Sequence, residues 1–192
     1  MKDRVNDFIR RRSERFARRL AGLARDERGV SAVEFALLLP LMLTIYLGAV
    51  EVSQGIAADR KVTLTARTIA DLCSQAQSLT VSDMTNSMLA AVAVMAPYPD
   101  SNMKVTVSSV KIDSNGNATV EWSESKNGTK RATGSSVTLL PALKVPNTWL
   151  IFSEVEYAYK PTIGYVISGT LTLKDQIFMR PRMSDSVTYP AT

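Results

Sequence analysis

Hydrophobic and polar positions change rhythm four times along this chain. Residues 4–23 carry apolar side chains at Val5, Phe8, Ile9, Phe16, Leu20 and Leu23, with arginines filling the other faces. That spacing predicts a basic amphipathic helix. From Val30 to Val50 the sequence is apolar on every face for 21 residues. As a helix this is about 31 Å at roughly 1.5 Å per residue, which matches a bilayer's hydrocarbon thickness. Beyond residue 51 the helix continues but becomes one-sided. Val62, Ala66, Ile69 and Cys73 step by four, three and four, an apolar stripe. Thr80 or Ser82 can cap a second helix that carries Met84, Met88, Val92 and Met95 and stops at Pro97.

After Pro99 the period falls to two. Met103, Val105 and Val107 alternate, and Val110 and Ile112 resume out of phase, which suggests a bulge near Ser108-Ser109. Asn115-Gly116 signals a hairpin. Its return strand places Ala118, Val120 and Trp122 on one face. Residues 125–136 read as an exposed loop. Residues 149–160 form a strand with Val155, Tyr157 and Tyr159 alternating, ended by Pro161, and residues 165–174 form another with Ile167, Leu171 and Leu173. The last ten residues read as loose. The fold class is therefore α+β: a long N-terminal transmembrane helix that enters a domain with a second helix and an antiparallel sheet of about four strands. Three segments follow: a basic leader over 1–29, a transmembrane helix over 30–50, and an exposed α+β domain over 51–192.

Charge changes what this pattern means. The formal net charge of +5 lies entirely in residues 1–28, which hold ten Lys/Arg and five Asp/Glu. Such a flank either lies on an anionic membrane surface or, solvated, fixes orientation. No aromatic platform accompanies the arginines, so nucleic acid is not an expected partner. The positive-inside rule puts the N-terminus in the cytoplasm and the residues beyond 51 outside. Gly55-Ile56-Ala57 offers a signal-peptidase pattern. The apolar run is too long for a signal core, however, and Glu51 intervenes.

Composition narrows the chemistry. There is one cysteine and no histidine in the 192 residues. No internal disulfide, zinc thiolate cluster or histidine-based triad can be built. Cys73, on the apolar stripe, reads as a small buried hydrophobe, although a lone cysteine can cross-link two subunits in an oxidising compartment. Asp113, Asn115, Asn117 and Glu124 have EF-hand-like spacing, but Ala118 stands where the loop needs glycine, and strands flank it. Asn117 and Asn127 match glycosylation acceptors by pattern alone. No cofactor or metal is expected, and an enzyme is disfavoured.

One residue is out of place. Glu34 stands inside the apolar run, where a carboxylate costs on the order of 2.5–3.5 kcal/mol by insertion scales. Pro40 removes a backbone donor and frees the Ala36 carbonyl, which predicts a kink. Gly29, then Val30-Ser31-Ala32-Val33-Glu34-Phe35, then an apolar helix resembles the processing site of type IV pilin-like proteins. The wider segment GVSAVEFALLLPLMLTIYLGAVEVSQGI is similar to the TadE-like family of the tight-adherence (Flp-type) pilus system. Weaker likeness continues in Ala66–Asp71, Val155–Tyr159 and Met179–Arg182.

That resemblance implies a minor pseudopilin or pilus-assembly protein, anchored in a bacterial inner membrane with a pilin-like periplasmic domain. It implies a prepilin peptidase that cuts between Gly29 and Val30. Other pseudopilins, the major pilin and pilus platform proteins would be its partners. Phe35 departs from the tyrosine usual after the glutamate, and the leader is long. Cleavage would create an ammonium at Val30, one helical turn from Glu34 on the same face. Glu34 would then neutralise the amine of its own chain or of a neighbour, and so select packing register. An unprocessed, single-pass periplasmic binding module is the alternative.

Overall fold

The computed structural model describes Gly22 and residues 28–190, with the exception of Thr162 and residues 165–167. Apart from Gly22, the amphipathic helix expected over residues 4–23 lies outside the described residues. The chain divides into two compact units, Met1–Gly48 and Ala49–Thr192.

In the first unit the described structure is helical. Helix α1 runs Arg28–Ser74 without a break at Pro40. The Thr44 hydroxyl donates to the Pro40 carbonyl at 2.9 Å. Residues 29–46 are exposed all the way round, as an apolar helix is when its solvent is lipid.

In the second unit α1 becomes one-sided, as its sequence predicts. Ala58, Val62, Ala66, Ile69 and Cys73 are fully buried, and small residues on this stripe let the sheet come close. Helix α2 (Val81–Ala93) packs beside it through Met84, Met88, Ala91 and Val92. Thr80, not Ser82, is its cap. The Asp83 amide donates to the Thr80 hydroxyl, and the Thr80 amide to the Asp83 carboxylate, each at 3.1 Å. This reciprocal pair is worth about 1 kcal/mol.

The sheet is antiparallel with order β2-β1-β3-β4, from β1 (Met103–Ile112), β2 (Ala118–Lys126), β3 (Thr148–Tyr159) and β4 (Leu171–Met179). It explains the phase change in β1 differently from a bulge in that strand. β1 pairs with β3 without a break from Met103↔Tyr157 to Ile112↔Thr148. Val105 and Val107 therefore face the helices, whereas Val110 and Ile112 face the other way, into a second core with Leu150 and Phe152. The sheet is apolar on both sides.

The bulge is in β2. Ser109 opposes Trp122 and Val110 opposes Val120, which leaves Glu121 unmatched. The extra residue flips the strand's phase. Trp122 thus joins the helix-side core, whereas Ala118 and Val120 join the second one. The three do not share a face, contrary to the alternation.

Residues 127–147 cover that second core. β2 runs on to Lys126 and so takes the first two residues of the expected loop, the rest of which is mostly exposed up to Ser136; Val137 and Leu139, just beyond it, are buried. The Val137 amide donates to the Ala118 carbonyl and the Val120 amide to that of Ser135, both at 2.9 Å. The Arg131 guanidinium forms a two-pronged pair with Glu154, at 2.6 and 2.7 Å, and lies 5.1 Å from the centre of the Phe152 ring. The last strand is later than expected, because Asp175 interrupts the alternation that links Leu173 to Ile177. Ile167 lies outside the described residues.

The C-terminal residues are not loose. Val187 is fully buried, and its carbonyl accepts from the Trp122 indole at 2.6 Å. The Leu79 amide donates to the Thr188 carbonyl at 2.9 Å, and the Thr188 amide to that of Gln77 at 3.1 Å. Tyr189 packs on Trp122 and donates to Glu124 at 2.8 Å; burial first, then that carboxylate, pushes its phenol up to about 12. Full burial of a valine is worth about 1.5–3 kcal/mol. Val187→Ala should lower unfolding stability in urea by a sizeable part of that, about 1–2 kcal/mol. An unchanged midpoint would mean that the tail does not hold the core together.

Candidate functional site

Gly29, Val30, Glu34, Phe35 and Pro40 all lie on the first turns of α1, and all are exposed. Their helical state follows from composition: the run is rich in alanine and leucine, and Pro40 sits far enough from the helix start to leave the first turns intact. Val30 and Glu34 are four residues apart, which puts them about 6 Å apart along the axis on one face. Phe35 is the next position round. Pro40 lies five residues beyond Phe35, well over a turn along the helix.

Gly29 has no packing reason to be glycine. A Cβ built there meets nothing within 4 Å, and its backbone is helical, where alanine is better by about 1 kcal/mol. Among the described residues, nothing packs closely enough against this position to call for glycine. Glu34 is the only ionisable carboxyl between Gly29 and Val50. Exposed on an apolar surface, it can pair with a cation on its own face or on another chain.

A second carboxylate, Glu51, has an environment that the linear pattern did not reveal. It is fully buried and begins the stripe that continues through Ala58 and Val62. Its spacing to Ala58 is that of the stripe, which is the signal that could have found it. Tyr159, at the end of β3, lies near it. Burial pushes the Tyr159 phenol up, and the neighbouring Tyr98 and Glu51 add to the shift. The Tyr159 hydroxyl is buried and finds no hydrogen-bond partner among the described residues.

The other candidates resolve as structure. Asp113 is the clasp of the β1–β2 hairpin. Its Oδ1 accepts from the amides of Asn115 and Asn117, both at 2.8 Å, and Oδ2 from the Asn117 side chain at 2.9 Å. The Asn117 bonds hold its carboxyl below the usual range. Gly116 takes a φ of +81°, the reason for glycine in this turn. Glu124 pairs with Lys130 and Tyr189 instead of closing a calcium loop. No group of three or more His, Cys, Asp or Glu side chains able to hold a metal ion occurs among the described residues. The Asn117 and Asn127 side chains are both committed to hydrogen bonds within the fold.

Cys73 is buried as its stripe position predicts, and burial pushes its thiol up to about 12. A thiol so shifted is almost entirely protonated at neutral pH, hence a poor nucleophile. Maleimide labelling of the folded chain at pH 8 should be slower by about 10²-fold or more than in urea. Equal rates in both conditions would show that the thiol is accessible and free to cross-link.

Compared with known families, residues 29–71 match the family model described as TadE-like protein. The match begins at Gly29 and takes in Glu34, Pro40 and Glu51. No curated protein and no solved structure matches the chain.

Proposed function

We propose that this chain, TadE-like over residues 29–71, is a membrane-anchored minor pseudopilin that takes part in assembling a tight-adherence pilus. The observation that carries the reading is the coincidence of that match with a helix apolar on all sides, in which Glu34 stands one turn from Val30. In this reading residues 30–50 cross the inner membrane. The basic leader stays in the cytoplasm, and the domain from residue 51 is periplasmic.

A prepilin peptidase cuts between Gly29 and Val30. The new Val30 ammonium and the Glu34 carboxylate then neutralise each other, within one chain or between neighbours. A misplaced neighbour leaves both charges unpaired in hydrocarbon, so the pair sets register among pseudopilins and the major pilin. Pilus platform proteins in the membrane complete the assembly. The role is structural, with no catalytic step assigned to this chain.

One observation favours a second reading, an unprocessed single-pass anchor for a periplasmic interaction module. The Gly29–Val30 bond lies in the first turn of α1, and a helical bond must unwind before a peptidase can take it. Gly29 lowers the cost of that unwinding, since the first turn frays easily.

Intact mass decides between them. Expressed with a prepilin peptidase, the chain should lose residues 1–29; full-length protein in every fraction would support the unprocessed anchor. Glu34→Ala should still be cut but should lose co-assembly with the other pilins by at least about tenfold, the scale of one unpaired buried charge. Normal co-assembly of the cleaved variant would remove Glu34 from the mechanism.

A further inference from the structure

In the second unit, a cleft beside Gln54 of α1 is left unused by the pilus reading. It has a volume of about 660 Å³, and Tyr98, Tyr157, Tyr159, Lys160 and Gln54 line it, with prolines 97, 99 and 161 at its edges. Three elements converge to make it. The turn after α2 supplies Tyr98, β3 ends in Tyr157 and Tyr159, and α1 supplies Gln54. The Tyr98 hydroxyl donates to the Gln54 carbonyl at 3.3 Å. Tyr98 meets the other two rings edge-on, at 6.1 and 6.2 Å between centres.

Position along α1 selects the occupant. Gln54 is four residues beyond Val50, the last residue of the apolar run, or about 6 Å along the helix. The polar layer on each side of a bilayer's hydrocarbon is about 5–8 Å deep. The cleft therefore opens at headgroup depth if residues 30–50 span a membrane, the premise taken from the proposed function.

Its surroundings have the composition of that layer. Val52 and Ile56 are about half exposed on the same turns of α1. Leu171, opposite Tyr159 in the sheet, and Ile163, two residues past Pro161, are also exposed. Exposed aliphatic groups, amphipathic tyrosines and a lysine with a long apolar stem are what a membrane interface favours. Lys160 gives the cleft a cation for a phosphate. A quaternary ammonium would be repelled by the same lysine.

We propose that this rim seats in the lipid headgroup layer, with Lys160 and the Tyr98 edge of the cleft holding a phospholipid phosphate. The seat fixes how far the helix projects from the bilayer before the sheet packs on it.

The full chain in nanodiscs of phosphatidylethanolamine and phosphatidylglycerol tests this. A fluorine probe is placed at Ser101→Cys beside the cleft, at Asn115→Cys in the hairpin at the other end of β1, or at Leu43→Cys in the span. Headgroup-attached gadolinium should broaden the probe at position 101 at least about fivefold more than that at 115. Lys160→Glu should reduce the broadening at 101 at least about threefold while acyl-chain spin labels still broaden position 43. Equal broadening at 101 and 115, or broadening at 101 untouched by Lys160→Glu, overturns the headgroup seat and leaves the span standing. Failure of acyl-chain labels to reach position 43 overturns both the span and the seat. A saturable shift at 101 with a proline-rich peptide, without headgroup broadening, overturns the seat in favour of a peptide groove.

Discussion

Everything in this molecule depends on one helix that must satisfy two different surroundings. Over residues 29–46 α1 exposes apolar side chains in every direction, a surface that is stable only in lipid or against other helices. From Glu51 to Cys73 the same helix is apolar along a single stripe, which the sheet and α2 cover. The change of surroundings is written in the change of pattern. It needs no break in the backbone, because helical hydrogen bonds close within the segment whatever the solvent.

The two carboxylates of the TadE-like segment mark the two regimes. Glu34 lies on the lipid-type surface, exposed and available to another chain. Glu51 lies on the core stripe, fully buried beside the end of β3. In a linear reading both are charges on an apolar background. Their surroundings separate because, among the described residues, one part of the helix is covered by the sheet and α2 and the other part is exposed. The segment that matches the family model, residues 29–71, thus includes both the apolar run and the helix on which the domain is built.

The domain packs on both faces of its sheet, and that explains most of what the alternation misled. A two-sided sheet puts apolar residues at odd positions of one strand segment and even positions of the next. Period-two parity reports a change of side but not which strand holds an extra residue. The bulge at Glu121 and the opposite facing of Trp122 and Val120 follow from pairing between strands, which no single strand encodes. The same holds for the C-terminal residues. Their hold on the fold comes from backbone bonds to Gln77 and Leu79 and from the Trp122 indole, partners about 65 to 111 residues away in the chain.

Local physics was legible in the residues alone. The apolar run, the helix stripe through Cys73, the Thr80 cap, the Asn115-Gly116 turn and the stop at Pro161 each depend on neighbours within a few positions. So does the placing of Val30 and Glu34 on one face, since helical spacing is enough for it. The burial of Glu51, the tyrosine cleft beside Gln54, the second core under residues 127–147 and the anchoring of Val187 were decided by the tertiary structure. Each joins groups far apart in sequence, and a contact of that kind depends on how strands pair and which faces they bury, not on any one residue's preference.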